Sequence, residues 1–150
     1  MRLSIIGTIL SIIILSMCIL MQMTYIEAVR YQKDEARLLS EMRNLIDTVI
    51  DTRQLTKDDE NDFALFIASL DGTYVYKISK ERRVVSPMPG NPGKTITKYM
   101  PDEDLTDWVK GDTIIVDVQQ VSQGFFAAVS DKMFGISNRV EPIRLAAKIR

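Results

Sequence analysis

The sequence has no histidine, a single cysteine (Cys18) and seven glycines in 150 residues. Without histidine and with one cysteine, a His/Cys zinc site, a Ser/His or Cys/His nucleophile pair and a disulfide framework are excluded by inventory. No phosphate-binding glycine loop is present. With 19 basic against 20 acidic residues the net charge is -1, so the broad basic field that nucleic-acid binding needs is missing as well. The acids are scattered among Lys and Arg at surface-like spacing. The expectation is a protein that is not an enzyme, with no cofactor, no metal, no nucleic-acid partner and no small-molecule substrate.

Charge is also absent from Leu3 to Ile26, a run of Leu, Ile and Met with a few hydroxyls (Ser4, Thr8, Ser11, Ser16, Thr24) that can bond back into a helix. At about 1.5 Å per residue this run is about 36 Å long as a helix, enough to cross a hydrocarbon core of about 30 Å. It reads as a membrane anchor, carried by Leu3, Ile6, Leu10, Ile13, Met17 and Leu20. A cleaved signal peptide is the rival, but its apolar core is about 7 to 15 residues and ends in a small-x-small site, which Met21 to Tyr25 do not offer. Cys18 follows Met17, too bulky for a lipoprotein box, and reads as an ordinary apolar residue.

No proline or glycine follows until Gly72, so the helix is expected to continue as an amphipathic shaft to Gln54. Tyr31, Leu38, Met42, Leu45 and Val49 recur at three- and four-residue steps, with Leu39, Ile46 and Ile50 beside them; Lys33, Asp34, Arg37, Glu41, Arg43, Asp47 and Asp51 are placed on the opposite face. The lower stripe, Leu45 to Ile50, is expected to pack on its own domain. A helix from Leu3 to Gln54 is about 78 Å long and a domain of this size about 30 Å across, so the upper shaft is expected to remain uncovered. Tyr25, Val29, Tyr31, Leu38 and Met42 are therefore read as an association surface for other membrane subunits. Charges from Glu27 to Arg37 are read as setting register. The domain organisation is a span (1–26), a shaft (27–54) and a small domain (55–150). Arg2 on one side and Arg30, Lys33 and Arg37 on the other give no positive-inside preference, a rule that weakens before long domains. The cysteine-free remainder suits a domain outside the cytoplasm.

Thr56 with Asp59 is a capping pattern, and a second helix is predicted over Lys57–Leu70 with Phe63, Phe66, Ile67 and Leu70 on one face. Asp58, Asp59, Glu60 and Asp62 are helix-start acids, lacking the alternating loop of a calcium site. Thr73–Ser79 alternates as a strand, with Val84 and Val85 either extending it or starting a partner. Three prolines and two glycines in Ser86–Gly93 predict an exposed irregular loop. Pro101–Lys110 resembles a short helix with Pro101 and three acids at its start and Trp108 buried. Asp112–Val121 is the clearest strand, Gly124–Met133 a helical or irregular crossing segment, and Ile143 to Arg150 a closing strand behind Pro142. The fold class is α+β: a long N-terminal transmembrane and amphipathic helix packed on a small antiparallel sheet.

A membrane helix running unbroken into an amphipathic shaft is similar to type IV pilins and pseudopilins. Leu55, Thr56, Asp59 and Phe63, then Gly72, Tyr74 and Ile78, then Gly111, Asp112, Ile114, Val116 and Val118 resemble the TadE-like minor pilins of Gram-positive bacteria. The resemblance implies a non-enzymatic, single-pass cell-membrane subunit of a pilus-like, tight-adherence or conjugative secretion apparatus, its C-terminal domain outside the cytoplasm and its partners other pilin-like subunits and the bilayer. The alternative is a single-pass interaction or sensor module. Prepilins carry a glycine before the processed bond and a glutamate five residues on; here Gly7 reads as a packing residue and Ile12 stands at the glutamate's place, so no processing site is assigned.

Overall fold

The computed structural model describes residues 2–121, 124–135 and 141–150. Helix α1 runs unbroken over Arg2–Thr52, and α2 follows over Lys57–Ala68. Strands β1 (Tyr74–Met88), β2 (Asn91–Asp102) and β3 (Thr113–Gln120), helix α3 (Phe125–Phe134) and strand β4 (Ile143–Lys148) complete the chain. The sheet is antiparallel throughout in the order β2-β1-β3-β4.

Within α1, the Ser16 and Thr24 hydroxyls donate to the carbonyls of Ile12 and Leu20, so these two polar groups of the apolar run are satisfied inside the helix. The helix ends where Arg53 takes φ 55 and its N–H reaches the Val49 carbonyl at 2.9 Å, an αL stop made without glycine. Helix α2 begins with the expected capping box. Thr56 Oγ1 accepts from the Asp59 N–H, and the Asp59 carboxylate accepts from the Thr56 N–H.

One face of the sheet buries against α1 and α2. Ile114, Val116 and Val118 of β3, with Ile149, meet Leu38, Met42, Leu45, Ile46 and Val49 of α1, and Leu55, Phe63, Ile67 and Leu70 close the side. The Phe63 ring stands edge-on to Tyr76 at 5.2 Å. Trp108 is buried in this core, as its size and position in the sequence implied. Ile115 points to the other face and is nevertheless buried, paired between Ser79 and Ala146.

Strand β1 serves two partners. Tyr74–Glu81 pairs with β3, and Lys80–Met88 pairs with β2, so beyond Glu81 the sheet narrows to a two-stranded ribbon. Val84 and Val85 thus extend the first strand. The irregular loop expected over Ser86–Gly93 is instead the tip of this ribbon. Met88 pairs with Asn91 across a two-residue turn in which Gly90 has φ 82, the conformation that Pro-Gly supplies at the centre of a type II turn. Prolines fit because only one side of the ribbon strand is paired and the register slips between Pro87 and Met88.

The short helix expected over Pro101–Lys110 does not form. Asp102 Oδ1 accepts from the Asp104 N–H, and Asp104 Oδ1 accepts from the N–H and hydroxyl of Thr106. These acids bond backbone two residues ahead, which is the alternative to helix that Asp favours. A further correction concerns Asp34, placed on the wet face of the shaft by its charge: it is buried, on the same side of α1 as Leu38.

Candidate functional site

The apolar half of α1 is uncovered. From Ile5 to Ile19 every side chain is exposed, including the anchor positions Ile6, Leu10, Ile13 and Met17; Leu20 is half-buried, and the side chain of Leu3 lies outside the described residues. Among the described residues this is one helix long and apolar enough to cross a membrane, consistent with a single-pass membrane protein.

The association surface expected below it is divided by the structure. Tyr25 and Val29 are exposed, at 70% and 45%, and Tyr31 is half-buried. Leu38 and Met42 are fully buried in the domain's own core and leave the association surface. The domain reaches further along α1 than its size suggested. Burial pushes the Tyr74 hydroxyl up to about 12, aided by the negative charge of the Asp34 carboxylate beside it. This contact ties the start of β1 to α1 about one turn above Leu38. Higher still, Glu27 accepts from the backbone N–H groups of Phe126 (3.2 Å) and Ala127 (2.8 Å), so the first turn of α3 is held at residue 27. The exposed shaft between the apolar run and the domain is short: Tyr25 and Ile26 at the end of the run, then Ala28, Val29 and Arg30 beside the bonded Glu27.

At the opposite end of the sheet lies a polar cluster built on Lys80. Its ammonium donates to the carbonyls of Asp104 (2.8 Å) and Asp107, lies 3.2 Å from the Asp102 carboxylate and 3.7 Å from that of Asp112, and stands 5.2 Å above the Trp108 ring. Arg82 reaches the same two carboxylates at 3.2 and 3.6 Å. The Asp104 N–H and then the Lys80 ammonium hold the Asp102 carboxyl below the usual carboxylate range, and the Thr106 hydroxyl and N–H do the same for Asp104. Around this cluster the Trp108 N–H meets the Arg53 carbonyl, its indole N–H meets the Leu105 carbonyl at 2.8 Å, and the amides of Gly111 and Ile149 bond across to Ile149 and Asp112. The end of α1, the 103–112 segment, β1 and the chain's last residues are fastened together here.

Chemically the cluster is closed. Lys80 and Asp112 have essentially no exposed surface, and the lysine donors point at protein acceptors. Its work is to hold an irregular segment onto the sheet. Sequence reasoning passed over it, although a signal exists: Lys80 shares the parity of Tyr74, Tyr76 and Ile78, the inward face of its strand. Glu27 was read as one of the charges that set register between shafts, and its role as the acceptor for α3 was not visible from the shaft alone. The chain matches no family model, no curated protein and no solved structure.

Proposed function

We propose that the protein is a membrane-anchored structural subunit, pilin-like in plan, whose anchor crosses the cell membrane once and whose domain sits outside the cytoplasm. The observation that carries this reading is a single 51-residue helix, bare over its apolar half and packed into a sheet over its amphipathic half. A helix that is apolar on all sides needs lipid or other helices around it. Subunits of this plan associate through the anchor, including the exposed Tyr25 and Ile26 at its end, with Val29 as the first contact outside it. The reading gives the protein no catalytic role.

Disulfide crosslinking in the native membrane tests the proposal, using Met17→Cys and Val29→Cys in a Cys18→Ser background. The expected result is a crosslink from one or both positions to a second copy or to another membrane subunit, and none from Leu38→Cys, which is buried. Absence of any crosslink, with Val29→Glu leaving assembly unchanged, overturns it.

A second reading, a single-pass interaction module, is favoured by one feature. Residues 82 to 100 of the ribbon carry Arg82, Arg83, Lys94 and Lys98 and no acid, in a chain that is acidic overall. If Lys94→Glu with Lys98→Glu abolishes complex formation while the anchor positions stay silent, the ribbon is the functional surface.

A further inference from the structure

Helix α3 lies at the end of the domain nearest the apolar run. Three contacts order the levels along α1: Glu27 holds the amides of Phe126 and Ala127, Asp34 meets Tyr74, and the Arg53 carbonyl takes the Trp108 N–H. Residue 27 is above residue 34 by about 10 Å of helix rise and above residue 53 by about 39 Å. Tyr74 pairs with Gln120, the last residue of β3, and β4 starts opposite Val118 at Ile143. The β3–β4 connection that contains α3 therefore leaves and re-enters the sheet at its upper edge. Glu27 is the first residue after the uncharged run ends at Ile26.

The two sides of α3 differ. Phe126, Ala127 and Asp131 are half-buried and Ser130 is buried. Phe125 and Met133 are exposed at 72% and 65%, with Ala128 and Lys132 exposed between them and Val121 exposed just before the helix. Gly124 lets the helix start against the anchor, since a Cβ there meets the Glu27 carboxylate at 2.5 Å. Two large apolar side chains thus stand in the open on a ten-residue helix held at the point where the span ends.

We propose that α3 is a second membrane contact, a short interfacial helix that lays Phe125 and Met133 into the headgroup boundary while Lys132 reaches lipid phosphates. The proposal rests on the membrane-anchor reading, because the position of the bilayer is taken from the span. The occupant follows from that position: a surface one residue beyond the span faces lipid headgroups before it faces anything else. The chemistry fits an interfacial element, with apolar side chains on the outer face, a basic residue among them and two amides of the first turn held by Glu27. Tyr25 adds an exposed phenol at the same depth, where aromatic side chains with a polar tip favour the interface. The domain would then be fixed in orientation on the membrane by two contacts, the span and α3.

The test uses the full chain, Cys18→Ser, reconstituted in vesicles containing phosphatidylglycerol, with an environment-sensitive fluorophore at Ile13→Cys, Phe125→Cys, Met133→Cys or Val85→Cys in separate samples. All four positions are exposed, so none of the substitutions removes core packing. Lipids brominated at shallow or deep acyl positions supply the quencher. The expected result is deep quenching at Ile13, shallow quenching at Phe125 and Met133, and none at Val85. Quenching at Ile13 with none at Phe125 and Met133 overturns the interfacial role and leaves the anchor standing. No quenching at Ile13 overturns the anchor reading itself.

Discussion

The upper and lower halves of α1 are both rich in Leu, Ile and Met, yet they have opposite surroundings. From Ile5 to Ile19 nothing covers the side chains, whereas Leu38, Met42, Leu45, Ile46 and Val49 are among the most buried in the protein. The difference lies in pattern, since the upper half is apolar on every side and the lower half confines its apolar residues to one stripe. A one-sided helix can be completed by one sheet. An all-round helix cannot, and its remaining surface calls for a different solvent. The boundary is set by two acids on the inner side of the helix, Glu27 and Asp34, which the domain uses as attachment points.

The largest expected effect tests the lower attachment. Lys80→Met removes the buried cation between Asp102 and Asp112 and leaves the buried Asp112 with the Val109 N–H and the partly exposed Arg82 as its remaining partners, so a loss of about 3 to 5 kcal/mol is expected in urea unfolding of the full chain in detergent. Pairing it with Asp112→Asn should recover part of that loss, because the uncompensated charge is then gone. A Lys80→Met variant as stable as the parent would show that the cluster does not fasten the base of the domain.

The comparison itself is sharpened by the same truncation made in each half. Leu38→Ala deletes a side chain with no exposed surface and should cost about 2 to 5 kcal/mol of unfolding free energy. Ile13→Ala should leave the urea midpoint of the domain unchanged, since Ile13 touches none of the core. Equal effects would mean that the two halves are one cooperative unit.

How much of this was legible follows from the kind of signal each feature leaves. The 3.6-residue stripe in α1 and the period of two in β3 are properties of the sequence alone, and they placed Leu45, Ile46, Val49, Ile114, Val116 and Val118 on buried faces, whereas Leu38 and Met42 were read as an association surface and are core. Where the stripe stops being covered was not legible, because the upper edge of the sheet is set by long-range pairing. Yet Glu27, Tyr31, Asp34 and Leu38 continue the phase of Leu45 and Val49, so phase marked these acids as inward where charge suggested water. Strand β2 was hidden because its prolines look like loop; Thr95, Ile96, Thr97 and Tyr99 are good strand residues between them. Pro101 with three acids looks like a helix start, and only the carboxylates' bonds to nearby amides show why the segment takes another course.

A smaller effect is expected at the junction of α1 and α2. Thr56→Ala removes the side-chain acceptor of the capping box and should cost about 1 kcal/mol. Thr56→Ser should restore nearly all of it, because the hydroxyl is what accepts the Asp59 N–H. If Thr56→Ala is neutral in urea unfolding, α2 is held by Phe63 and Ile67 alone.

The most delicate expectation concerns the upper attachment and appears only at alkaline pH. A tyrosine in water ionises near 10, whereas Tyr74 is pushed to about 12, first by burial and then by the negative charge of Asp34. The folded state therefore keeps this proton after the unfolded chain has released it. Stability from this group is fully present below about pH 10 and declines as pH rises from about 10 through about 12, because over that window the folded state binds more protons than the unfolded one. Phenolate absorbance should show a late component near pH 12, and Tyr74→Phe should remove it. Asp34→Asn should bring the midpoint down while leaving it above 10, since burial is the larger cause and persists. A Tyr74 that titrates near 10, as a tyrosine in water does, would mean that the top of the sheet is open to water at this contact, and α3 would then lose one of the three contacts that order its level along α1.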